Sequence, residues 1–197
     1  TTKLHQKKHR DKTGLFLVEG YHLYEEAQKS DNIETIFTTD ETIEGDKVIY
    51  VTPQVLEKLS QTKTPQPVLT VCKKIYNQEL SDKILMLEEV QDPGNLGTII
   101  RTVDWFGGAQ IIVSEDVAGV YNPKVIQSTM GSFLRVRVEV VDDIPALLKK
   151  QSLPVYGALL EGSSIYQTKF SKEGFLIIGN ESKGIRENLI PAINHAI

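Results

Sequence analysis

From Ile84 onward, short apolar runs alternate with helical patterns, and this alternation constrains the fold more than any other feature of the chain. Ile84-Leu85-Met86-Leu87, Ile111-Ile112-Val113, Leu134 to Val141, Val155 to Leu159 and Phe175-Leu176-Ile177-Ile178 read as strands. Helical patterns lie between and after them. One ends at Phe106-Gly107-Gly108, one runs from Asn122-Pro123-Lys124 to near Gly131, one from Asp142 to Lys150, and one from Glu187 to Ile193 despite Pro191. The third has an acidic start and a basic end, which matches the helix dipole. Such alternation predicts an α/β fold, a mostly parallel sheet with helices on both faces.

The first part of the chain reads as a smaller α/β unit. Leu15 to Val18, Ile33 to Thr38, Val48 to Val51 and Val68 to Cys72 are strand candidates. Tyr21 to Ser30 is a helix with Leu23 and Ala27 at i, i+4, and Thr52-Pro53 starts another, with proline in its favoured first turn. These readings divide the chain into a domain over 1–75, a polar linker over 76–83 and a second domain over 84–197.

Composition narrows the class. At 40% hydrophobic and 24% charged, the 197 residues suit an ordinary globular protein. No apolar stretch is long enough to span a membrane, and there is no signal-peptide pattern. The single cysteine, Cys72, lies in an apolar run, which predicts a core residue and a reducing, cytoplasmic compartment. No Cys/His cluster has metal spacing, so no metal site is expected. His5, His9, His22 and His195 lack a partner pattern and read as surface residues. No glycine-rich dinucleotide or triphosphate motif occurs. Net charge is −4, but residues 1–12 hold five basic residues against one acid, a net of +4, which leaves −8 on the remainder. A short basic arm on an acidic body suits local phosphate contact; a solvated helix face is the alternative.

Two loops carry the chemistry. Gln91-Asp92-Pro93-Gly94-Asn95-Leu96-Gly97-Thr98-Ile99-Ile100-Arg101-Thr102 follows the strand at Ile84–Leu87, where open α/β sheets bind ligands. Asn95 falls where an amide can cap the helix start. Arg101 sits among Ile99, Ile100 and Val103, so it must reach solvent or find a partner. Gly179-Asn180-Glu181-Ser182-Lys183-Gly184-Ile185 follows the strand at Phe175–Ile178, with glycines that let backbone approach a ligand.

In this order, the two runs resemble the first and second motifs of the TrmH (SpoU) family of S-adenosylmethionine-dependent RNA ribose methyltransferases. The likeness covers most of the chain. It implies a SPOUT-like fold, trefoil-knotted when complete, that forms a homodimer and carries a small N-terminal RNA-binding domain. It implies 2′-O-ribose methylation of RNA, ribosomal RNA first and transfer RNA second. A noncatalytic RNA-binding module of the same fold is the alternative. The chain reads as cut at both ends, and the family's third motif, built around Ser-Leu-Asn, would follow Ile197.

The resemblance also assigns residues. Leu159, Leu160, Gly179, Asn180, Glu181 and Gly184 would hold the cofactor. Asn95, Arg101 and Glu181 would form the catalytic set, with Asn95 and Arg101 beside the ribose. Arg101 would either activate the 2′-hydroxyl or hold the RNA phosphate bidentately. Deprotonating a guanidinium at pH 7 costs roughly 7.5 kcal/mol in water, which favours the second role. The basic arm, with Lys7, Lys8 and Arg10, would meet RNA phosphates; Lys124, Arg135 and Arg137 are further phosphate candidates by charge alone, with an ordinary surface charge as the alternative for each. Gln127 departs from the family, which often has arginine there.

Overall fold

In the computed structural model, residues 1–75, 80–108 and 110–197 are described. Residues 76–79 of the expected linker lie outside them. A 3₁₀ turn at Thr2–His5 leads into α1 (Lys7–Thr13), β1 (Leu15–Glu19), α2 (Tyr21–Gln28), β2 (Ile33–Thr38), β3 (Val48–Tyr50), α3 (Pro53–Leu59) and β4 (Val68–Lys73). These strands form one sheet in the order β1-β4-β2-β3. β4 runs antiparallel to β1 and β2, while β2 and β3 are parallel. Cys72 is fully buried in this unit, and burial pushes its thiol up to about 12, so it is an inert core residue.

The second sheet is built from β5 (Lys83–Leu87), α4 (Pro93–Trp105), β6 (Gln110–Ser114), α5 (Pro123–Thr129), β7 (Arg137–Val141), α6 (Ile144–Lys149), β8 (Val155–Gly157), β9 (Gly174–Ile178) and β10 (His195–Ala196). Its order is β10-β8-β9-β5-β6-β7, and every pair is parallel. Alternate side chains serve opposite faces. Ile84, Met86, Ile112 and Ile177 pack with Ile144 and Leu148 of α6. Leu87, Ile111 and Val113 pack with Leu96 and Ile100 of α4 and Val125 of α5. Helices therefore cover both faces, as the alternation predicted. β5 and β9 are neighbours from which the chain departs in different directions, a switch point where loops beyond the strand ends leave a crevice.

Three sequence expectations are corrected. The strand expected from Leu134 begins only at Arg137, because Ser132–Leu134 forms a 3₁₀ turn that carries Phe133 and Leu134 onto the N-terminal core. The helix expected over Glu187 to Ile193 is only a 3₁₀ turn at Ile190–Ala192; Pro191 cannot supply an interior helical N–H. The strand expected to reach Leu159 ends at Gly157.

The two sheets are joined by apolar and ionic contacts. Phe16 of β1 packs on Tyr121 at 4.6 Å and edge-on to Phe133 at 5.5 Å between ring centroids. The Arg135 guanidinium bridges the units, donating to Glu26 of α2 (2.6 Å) and to Asp104 of α4 (2.8–3.2 Å). Arg135 holds the Asp104 carboxyl below its ordinary range; Lys29 and then Arg135 do the same for Glu26. α4 also lies close to α5, since a Cβ on Gly97 would meet Ser128 Cβ at 2.4 Å.

Candidate active site

Loops leaving the C-terminal ends of β5, β8 and β9 gather the residues of interest. Pro93 occupies the first turn of α4, and Asp92 is its cap: the Asp92 carboxylate accepts from the Asn95 backbone N–H at 2.8 Å. This corrects the expectation that Asn95 caps the helix. The Asn95 side chain is thereby left for another task. Its Nδ2 donates to Glu181 Oε1 at 2.5 Å, joining the first loop to the second across 86 residues of sequence.

The second loop closes on itself. Asn180 N–H donates to the Gly184 carbonyl at 3.0 Å, and Gly184 N–H returns a bond to the Asn180 carbonyl at 2.9 Å. Asn180 Oδ1 accepts from the Ser182 and Lys183 amides, and its Nδ2 donates to the Glu89 carbonyl. The Asn180 side chain thus shapes the loop. Gly184 holds a left-handed φ of +72°, and a Cβ on Gly179 would fall 2.1 Å from the Gly184 carbonyl carbon. Two glycines are required here for different reasons, one for its dihedral and one for contact distance.

Beyond β8, Leu159 is half-buried and Leu160 fully exposed. Leu159 packs on the core cluster that holds Ile177 and Ile185, at the two ends of the second loop.

Arg101 is exposed on α4, and among the described residues no hydrogen bond or ion pair holds it. A salt-bridged helix arginine is therefore excluded among them. Asn95, Thr98, Arg101 and Thr102 recur at i, i+3, i+6 and i+7, and all four are exposed. Thr98 and Thr102 each donate to the carbonyl four residues back, which turns their hydroxyls away from competing roles.

The basic candidates separate. Lys7 and Lys8 are exposed on α1, and Lys124 is exposed at the start of α5 with Nζ 3.9 Å from Asp92 Oδ2. Arg10 is corrected: it is only 5% exposed, and its Nη1 donates to the Leu4 and His5 carbonyls at 2.9 and 2.8 Å. It stabilises the N-terminal turn and is withdrawn from the basic face. Desolvation by burial lowers its pKa, and nearby Asp11 partly offsets that. Arg135 is committed to the junction between the sheets. Arg137 Nη2 donates to Gln110 Oε1 at 2.6 Å, so it too is engaged within the fold. A groove of about 350 Å³ between His5, Gln61 and Thr62 on one side and Asn122, Lys124 and Gln127 on the other joins the N-terminal unit to the start of α5.

Sequence reasoning missed Glu88, Glu89 and Arg186, which surround the second loop. The available signal was two consecutive acids directly after an apolar strand, an unusual place for charge. No group of three or more His, Cys, Asp or Glu among the described residues could hold a metal ion. No helix there is long and apolar enough to cross a membrane.

Residues 82–197 match the model of the SpoU rRNA Methylase family. The chain belongs to that family. Residues 1–70 match the MRM3-like substrate binding domain. Among relatives of this SpoU protein, the 23S rRNA (guanosine(2553)-2′-O)-methyltransferase RlmP of Bacillus subtilis is 37% identical over 201 residues, covering 95% of this chain and 80% of its own. A TrmH-family structure from Porphyromonas gingivalis superposes with a TM-score of 0.90 at 30% identity, over 99% of this chain and 84% of that one. An AdoMet-bound rRNA methyltransferase from Sinorhizobium meliloti gives 0.84 at 27%, over 99% and 82%.

Proposed function

We propose that this SpoU-family chain transfers a methyl group from S-adenosylmethionine to a ribose 2′-hydroxyl of ribosomal RNA. One observation carries the reading. An exposed arginine without a partner among the described residues shares an exposed stripe with Asn95, and Asn95 is tied to Glu181 of the second glycine-bearing loop.

S-adenosylmethionine supplies an electrophilic methyl on a sulfonium when bound. Gly179, Asn180 and Gly184 would hold it by loop backbone, and Leu159 and Leu160 by apolar contact. Glu181 and Asn95 keep the two loops in one register. Arg101 presents a guanidinium fork that matches an RNA phosphate bidentately and so fixes the ribose hydroxyl for in-line attack. In that role it stays charged and stabilises by position, and the proton of the attacking hydroxyl passes to water.

The test is methyl transfer from labelled S-adenosylmethionine to ribosomal RNA lacking the modification, using full-length protein. Label in alkali-resistant dinucleotides is expected, because a 2′-O-methyl blocks alkaline cleavage. Label in alkali-sensitive product would overturn ribose methylation.

Lys7, Lys8 and Lys124 form the RNA contact set of this reading, on residues 1–75 and at the start of α5. Neutralising n phosphates of a single strand gives a log–log salt slope of about −0.7n. Replacing all three lysines by alanine is expected to reduce the slope of RNA affinity against salt by about 2. An unchanged slope in filter binding would remove them from the interface.

A homodimer completes the proposal. Trp105 and Phe106 at the end of α4 are 85% and 82% exposed, a large apolar surface beside the stripe that carries Arg101. Sedimentation equilibrium is expected to read twice the chain mass, and Phe106→Glu to shift it towards one. A monomeric wild type would refute this arrangement.

A further inference from the structure

Glu88 is a buried carboxylate at the end of β5, with its residue only 1% exposed. Its backbone N–H donates to the Ile178 carbonyl at 3.1 Å, extending the β5–β9 ladder to the point where the second loop begins. Its side chain then reaches the far end of that loop. Oε2 accepts the Arg186 backbone N–H at 3.1 Å, and Oε1 accepts Arg186 Nε at 2.8 Å. Arg186 is half-buried, and its Nη1 lies 3.5 Å from Asp116 Oδ2.

The neighbouring residue repeats the pattern. Glu89 has a φ of +51°, a left-handed backbone uncommon for a residue with a side chain. Such strain persists where the surroundings over-determine it. Here the Glu89 N–H donates to Ser114 Oγ at 3.2 Å, its carbonyl accepts from Asn180 Nδ2 at 2.9 Å, and its carboxylate lies 3.6 Å from Lys183 Nζ. Two consecutive residues thus hold the second loop at its entrance, its middle and its exit.

Burying a carboxylate to meet a half-exposed guanidinium is a poor device for stability alone, since an apolar pair of similar volume often serves as well. A carboxylate bonded to both a backbone amide and a guanidinium of one residue fixes that residue's position. We infer that Glu88 and Arg186 are positioning residues for the cofactor loop, setting the spacing of 179–185 from β5 without touching the reacting atoms. The inference rests on the reading of that loop as the S-adenosylmethionine site.

The experiment is steady-state kinetics of full-length Glu88→Gln and Arg186→Gln, with calorimetric titration of S-adenosylmethionine. Each substitution is expected to raise KM and Kd for S-adenosylmethionine at least about tenfold. The expected kcat at saturating cofactor, and KM for RNA, stay within about threefold. The double variant is expected to lose no more than the worse single, because both substitutions break the same carboxylate–guanidinium bond. A merely structural pair would lower the melting temperature and the active fraction without raising KM for one substrate. Unchanged cofactor KM in folded Arg186→Gln would overturn the inference, and that variant decides the matter if Glu88→Gln does not fold. Wild-type protein that binds no S-adenosylmethionine would instead sink the reading of the loop.

Discussion

Arg101→Ala is expected to cut methyl transfer by about 100- to 10,000-fold while leaving the melting temperature within a degree or two. The activity loss follows from the role proposed for the guanidinium. Removing a group that aligns or activates a nucleophile costs factors of this size. The stability forecast is independent of that role. Arg101 is exposed and unpaired among the described residues, and arginine and alanine both favour helix, so the fold loses little. Arg101→Lys is the sharper variant. It keeps the charge but loses the planar fork, so turnover is expected to fall nearly as far. Near-normal turnover of the lysine form would defeat both the phosphate-clamp and the base versions. A large fall in melting temperature for the alanine form would mean that Arg101 holds the fold.

Gly179→Ala is expected to abolish S-adenosylmethionine binding and to lower stability by about 1–3 kcal/mol, the usual cost of overpacking. Backbone, not a movable side-chain tip, stands in the way: the Gly184 carbonyl carbon and oxygen and the Ile185 nitrogen lie 2.1, 2.2 and 2.3 Å from the added Cβ. Relief requires opening the paired amides of Asn180 and Gly184, which would also displace Glu181 from Asn95. Calorimetric titration and thermal melting read the two effects separately. Gly107→Ala provides the contrast. Its φ of +72° carries a dihedral cost, but its Cβ meets nothing within 4 Å, so cofactor binding is expected to survive. If Gly179→Ala bound cofactor with wild-type affinity, the loop would not be the cofactor's cradle.

Much of the fold was legible because its signals are local. A run such as Ile84–Leu87 declares a buried strand within four residues, and the polar loop after it declares a strand end. Helix starts were legible in kind but not always in residue. Asp92 and Asn95 both have the chemistry to cap α4, and only the closed turn shows which side chain reaches the free N–H. The expected helix at Glu187–Ile193 failed for a local reason, Pro191. The expected strand from Leu134 failed for a distant one, the pull of the N-terminal core on Phe133 and Leu134.

The candidate site divides in the same way. The sequence by itself determined the strand–helix alternation, the two loops that follow β5 and β9, and the residue types placed in them. The tertiary structure alone decided partners. It turned Asn95 towards Glu181, buried Arg10 against two carbonyls, committed Arg135 to Glu26 and Asp104, left Arg101 in solvent, and set Glu88 against Arg186. The physical reason is range. Periodicity and turn chemistry act over a few residues, whereas a side chain's hydrogen-bond partner depends on the order in which strands are laid side by side. Here β9 lies against β5 although some ninety residues of chain separate them, and that adjacency brings the two loops together.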